Sequence, residues 1–181
     1  MKFKLFAIAL LIGLILTACS LRNKPLYTQS SPTIEADQTE TASQTPTLIG
    51  QAERALIDYF SALNQGDYEK AASLYGDSYD LLQSYNPTLD PEDHAALLQA
   101  GCKFNGLMCL PVREVLSVQT SNPDEFFFEI EFANPDGSTF ELGPCCGETE
   151  ETMPPISIFS IGVRCQADGD CQVLDLPPYV P

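Results

Sequence analysis

Seven cysteines, a single histidine and two glutamates spaced two apart in an alternating run are the residues of this chain that could do chemistry. Seven is odd, so at least one cysteine stands outside any set of intrachain disulfides. Six lie in residues 102–171: Cys102, Cys109, Cys145, Cys146, Cys165 and Cys171. Such a set can form disulfides, ligate a metal or do thiol redox work. Metal ligation fits poorly, because no Cys-x-x-Cys spacing occurs and His94 stands far from any zinc-like pattern. No basic residue beside Cys145 or Cys146 lowers a thiol pKa, which argues against a redox-active vicinal pair. The expectation is therefore three disulfides. Cys165 and Cys171 bracket the turn "QADGD" between two strand-like runs, which brings their Cα atoms near the separation a disulfide needs, about 5.5 Å. The other four allow three connectivities. A bridge between the adjacent Cys145 and Cys146 is strained. The preferred reading joins Cys102 and Cys109, one each, to Cys145 and Cys146. A closed loop of that length, about 40 residues, contributes about 3–4 kcal/mol in the chain-entropy model.

The seventh cysteine has a different neighbourhood. Residues 1–18 read "MKFKLFAIALLIGLILTA": two lysines, an apolar stretch from Leu5 to Leu16, then small residues. That is the n-region and h-region of a signal peptide, too short for a bilayer span of about 20 apolar residues. Its end, Leu16-Thr17-Ala18-Cys19, resembles the lipobox of bacterial lipoproteins. The resemblance implies cleavage before Cys19 and a diacylglyceryl thioether on its sulfur, with palmitate-type acyl chains. Each buried methylene contributes about 0.8 kcal/mol, and one chain alone anchors only marginally. Two or three chains on one cysteine hold a protein at the membrane. The implied place is extracytoplasmic: the outer face of the cell membrane, or the outer membrane in a two-membrane envelope. Ser20 stands where many inner-membrane lipoproteins carry Asp.

Residues 20–47 are dominated by Ser, Thr, Gln, Pro and acids, with apolar residues scarce and aperiodic. Such a segment cannot bury enough surface to offset its ordering entropy. With Cys19 it reads as a lipidated, disordered tether (19–47) with a root-mean-square reach of about 30 Å. The formal net charge is −16, and −18 once Lys2 and Lys4 leave with the signal peptide. An acidic surface repels nucleic acid and anionic headgroups, so nucleic acid is not an expected partner. Solubility alone also accounts for it.

Residues 48–181 are the size of one domain. "LIGQAERALIDYFSALNQG" sets Leu48, Ala52, Ala55, Leu56, Tyr59 and Leu63 at three- and four-residue steps, one helical stripe closed by Gly66. Asp67 is the candidate N-cap of a second helix ending at Gly76. Asp90 as N-cap, Pro91 at the first helical position and Gly101 past the end predict a third, which contains His94. A lone helical histidine reads as a surface or capped residue. Strands follow at 112–120, at 125–132, at 138–143 after the turn "NPDG", at 156–165 and at 171–176. In "EFFFEIEF", Phe126, Phe128, Ile130 and Phe132 share one face, and Phe127, Glu129 and Glu131 the other. Helices followed by four or five antiparallel strands indicate an α+β fold.

The run "AERALIDYFSALNQGDYEKAASLYGDS" (52–78) resembles the opening of NTF2-like domains, especially the small lipoprotein and lumazine-binding-like branch. The tail "VLDLPPYVP" is similar to their closing strand. The Cys-rich stretch between 101 and 155 departs from the family's general pattern. The resemblance implies a cystatin-like cone: N-terminal helices packed on a curved antiparallel sheet, here stapled by disulfides, whose mouth can hold a ligand. Enzymes of this superfamily place acid–base groups in that cavity, but no site motif transfers to this chain. Tyr59, Glu129 and Glu131 are the candidate pocket residues; the plainer reading puts the glutamates on the solvated face opposite the phenylalanines. The leading expectation is a membrane-tethered, non-catalytic binding or interaction module for an envelope protein or small molecule, with no cofactor and no metal. The rivals are a hydrolase or isomerase using the cone, and a structural spacer of the envelope.

Overall fold

A computed structural model describes residues 47–180. The expected signal peptide, the expected lipid site at Cys19 and almost all of the expected tether lie outside the described residues. Helix α1, Leu48–Gln65, begins where the Thr47 hydroxyl accepts the Gly50 N–H at 3.3 Å. It ends at Gly66, whose φ of 78° is left-handed and suits a residue without Cβ. The stripe of α1 is buried: Ala52, Ala55, Leu56, Tyr59, Phe60, Ala62 and Leu63 all face inward. Helix α2, Tyr68–Leu74, is capped by Asp67, whose carboxylate accepts the Lys70 N–H. It stops before Gly76 because Tyr75 turns extended and bridges Val173. Helix α3, Asp80–Tyr85, is too short to show a period in the sequence.

Helix α4 spans His94–Phe104, so it begins later and ends later than the caps at Asp90 and Gly101 predict. Asp90 and Pro91 form a turn instead, with the Asp90 carbonyl accepting the Asp93 N–H at 3.0 Å. Asp93 then caps the helix through the Ala96 N–H. Gly101 lies inside α4 for packing: a Cβ there would meet Leu107 Cδ1 at 2.7 Å and Leu82 Cδ2 at 3.0 Å.

The strands are β1 (Val112–Asn122), β2 (Glu125–Phe132), β3 (Phe159–Cys165) and β4 (Cys171–Val173). They form an open antiparallel sheet in the order β1-β2-β3-β4. The fold is therefore α+β. The expected strand at 138–143 is absent; Thr139 and Leu142 make single bridges, to Ala133 and Ile156. β4 stops at Val173 because the Asp175 carboxylate takes the Gly162 N–H at 2.7 Å, and Pro177 and Pro178 follow.

β2 alternates cleanly, with Phe126, Phe128, Ile130 and Phe132 buried. These four join Leu56, Tyr59, Phe60 and Leu63 of α1 in one apolar cluster. Phe60 meets Phe132 edge-to-face at 4.8 Å between ring centroids. Each such side chain contributes about 1.5–3 kcal/mol on leaving water. The space between α1 and the sheet is filled by the protein's own side chains.

Candidate functional site

The cysteines divide differently from the expected three disulfides. Cys102 is bonded to Cys109 and Cys165 to Cys171, while Cys145 and Cys146 are free thiols. The cross-linked arrangement, with Cys102 and Cys109 each joined to the 145–146 pair, is corrected by the course of the chain. α4 ends at Phe104, and Gly106, at a φ of 78°, turns the backbone. The Leu107 N–H then donates to the Gly101 carbonyl at 3.1 Å. That reversal brings Cys109 back to Cys102, 5.6 Å away between Cα atoms, so the pair closes locally. Cys165 and Cys171 are paired across β3 and β4, in register at the hairpin.

The candidate pocket residues do not converge. Tyr59 is fully buried in the core, and its hydroxyl has no hydrogen-bond partner. Burial above all, with Tyr75, Tyr79 and Asp175 adding to it, pushes that hydroxyl's pKa well above its ordinary value. Near neutral pH that hydroxyl stays protonated. Glu129 and Glu131 lie on the other face of β2. Glu129 accepts from the Ser117 hydroxyl at 2.7 Å, and Glu131 is paired with Arg113. They are cross-strand partners on the outer face and line no cup. His94 opens α4 and stacks on Tyr79 with 4.0 Å between ring centroids.

A cavity of about 560 Å³ lies elsewhere, between the Cys-rich segment and the last described residues of the chain. Three stretches of chain wall it. The first is Met108, held where its N–H donates to the Pro178 carbonyl at 2.8 Å. The second is the run from Phe140 to Cys146, with Met153. Phe140 fixes that run to the sheet by donating its N–H to the Phe132 carbonyl, and Leu142 fixes it by exchanging N–H···O bonds with Ile156. The third is the tail at Tyr179 and Val180, tied back through the Val180 N–H to the Gly106 carbonyl. The walls are mainly apolar, with one carboxylate, Glu141.

Both free thiols line this cavity, and their sulfurs stand 2.7 Å apart. A tight turn presents them. The Cys145 carbonyl accepts the Glu148 N–H at 3.0 Å, and the two central residues, Cys146 and Gly147, have φ of 63° and 92°. Two positive φ values in succession are the pattern of a type I′ turn. Among the described residues, Cys146 is the one non-glycine residue with positive φ, a conformation that costs about 1–2 kcal/mol. The hydrogen bond with Cys146 raises the pKa of the Cys145 thiol, and desolvation and the charges of Cys146 and Glu148 raise it further. Met108 and Met153, which lie in the cavity wall, carry no sequence signal beyond their sulfur, yet they are the only methionines after Met1.

No helix among the described residues is long and apolar enough to cross a membrane. Comparison with known proteins finds no matching family model and no matching curated relative.

Proposed function

We propose that this chain is an exported bacterial lipoprotein, tethered through acylated Cys19, whose NTF2-like domain is a non-catalytic binding or interaction module. The observation that carries the binding reading is the cavity of about 560 Å³ walled by Met108, the 140–146 run and the tail. Its lining suits recognition of an apolar or soft ligand more than acid–base chemistry. Tyr59 is sealed in the core, and Glu129 and Glu131 face away from it, so the residues considered for a hydrolase or isomerase share no site. The NTF2-like reading is supported by the element order, helices then an antiparallel sheet, and by α1 packed against the apolar face of β2. The lipoprotein reading rests on the Leu16–Cys19 sequence and the apolar run before it.

A second reading, a structural spacer of the envelope, is favoured by one observation: the interface between α1 and the sheet is filled with protein side chains. Purification of the membrane-anchored protein, with co-purifying small molecules and proteins identified, separates the two. The binding reading expects a bound species that is lost when Leu142→Arg places a charge in the cavity wall. Absence of any species dependent on Leu142 favours the spacer. Cys19→Ser should release the protein from the membrane fraction; unchanged membrane association contradicts the lipid anchor.

A further inference from the structure

Among the described residues, every sulfur not locked in a disulfide lines one cavity: the thiols of Cys145 and Cys146 and the thioethers of Met108 and Met153. The two thiols come from adjacent residues, the methionines from two other points on the chain. We propose that this cavity is a soft-metal site, in which Cys145 and Cys146 bind one Cu(I) ion with Met108 and Met153 completing the donor set. The inference rests on the reading of the loop cavity as the binding site and names its ligand class.

The donor chemistry selects the metal. Thiolate and thioether sulfurs are soft, and that combination prefers Cu(I) over hard or borderline cations. No group of three His, Cys, Asp or Glu side chains that could hold a metal occurs among the described residues, so an ordinary zinc set is not present there. The thioethers are neutral donors that zinc sites do not use. Cys146 is exposed and Cys145 half-buried, so both sulfurs can turn onto a common ion arriving from solvent. The surroundings favour a cation: Glu141 lies in the wall, and Glu148, Glu150 and Glu151 occupy the turn and the residues after it. Binding balances simply. Two thiols each lose a proton to solvent, two Cu–thiolate and two Cu–thioether bonds form as the incoming ion sheds its acetonitrile or chelator ligands, and no electron moves. Proton and metal compete for the same thiolate lone pairs, so uptake releases protons.

The test uses the exported full chain with the Cys102–Cys109 and Cys165–Cys171 disulfides intact. Cu(I), supplied anaerobically as its acetonitrile complex, is titrated in competition with a chromophoric Cu(I) chelator. The expected result is uptake of one Cu(I) per chain, with an ultraviolet thiolate-to-copper charge-transfer band. Cys145→Ser with Cys146→Ser should abolish both. These are near-isosteric changes in a surface turn, and an unchanged melting temperature shows that the fold survives. Met108→Leu with Met153→Leu keeps the apolar volume and should keep the stoichiometry while weakening binding about tenfold or more, that is by about 1.4 kcal/mol or more. Failure to draw Cu(I) from the chelator, or uptake that survives loss of both thiols, overturns the proposal. Recovery of the chain with all six cysteines oxidised and no copper uptake overturns it as well. A ligand that still depends on Leu142 in such a protein would leave the binding reading standing and remove only the copper.

Discussion

Two regions of this domain are built on opposite terms. Where α1 meets β2, Leu56, Tyr59, Phe60, Phe128, Ile130 and Phe132 are all fully buried. Across residues 133–158, Phe140 is the one buried side chain. The first region is a filled core, and its disulfide, Cys165–Cys171, closes a hairpin already in register. The second is held by a few backbone bonds from Ala133, Phe140 and Leu142, and it keeps two thiols free around a cavity. Burial gives the first region its stability and leaves no room there for a ligand. The second has the room, the exposed donors and a strained backbone at Cys146.

Truncation of the core should produce the largest effect. Leu56→Ala should cost about 2–5 kcal/mol in urea unfolding, since the side chain is fully buried and its loss leaves a cavity. A silent Leu56→Ala would mean that α1 is not packed on the sheet and would break the contrast at its stronger end. The disulfides come next. Each closes a short ring, with sequence separations of 7 for Cys102–Cys109 and 6 for Cys165–Cys171. Loss of Cys165–Cys171 by paired Ser substitution should cost about 2–2.5 kcal/mol in the chain-entropy model, less than a 40-residue ring would. A loss near 4 kcal/mol would point back to longer-range linkage. The smallest effect belongs to Tyr59→Phe. It removes a buried hydroxyl that has no partner, so stability should change by less than about 1 kcal/mol, with either sign. Ligand binding should not change. Loss of binding with stability intact would move the site into the space between α1 and the sheet.

Most of the core was legible in the sequence. The stripe of α1 and the alternation of β2 are periodic signals, and the structure buries both against each other. The glycine after α1 and the aspartate before α2 act as read. Other caps misled for physical reasons. Asp90 and Pro91 suit a turn as well as a helix start, and Asp93 supplies a second cap a turn later. Gly101 signalled an end but serves as a gap for Leu107 and Leu82. The candidate site was nearly illegible. The pairing of Cys102 with Cys109 depends on the reversal at Gly106, a tertiary matter that spacing does not specify. Glu129 and Glu131 were readable as the outer face by alternation alone. Met108 and Met153 reach the thiols only through the folded course of three segments, and metal spacing rules count neither thioethers nor adjacent cysteines.

The contrast between a locked core and an open, sulfur-lined region is tested most directly by counting thiols. The folded chain, carrying Cys19→Ser so that only the six cysteines of residues 102–171 can react, is treated with a small alkylating reagent without reductant, then digested and mapped by mass. Two labels per chain are predicted, on Cys145 and Cys146, with Cys102, Cys109, Cys165 and Cys171 unlabelled. Because the thiolate is the reacting form and the Cys145 pKa is raised, its labelling should be slow at neutral pH and quicken as the pH rises. No label on the pair would mean that Cys145 and Cys146 are oxidised, to each other or to cysteines across the loops, and labels on Cys102 and Cys109 would mean that their disulfide is absent; either result contradicts the account.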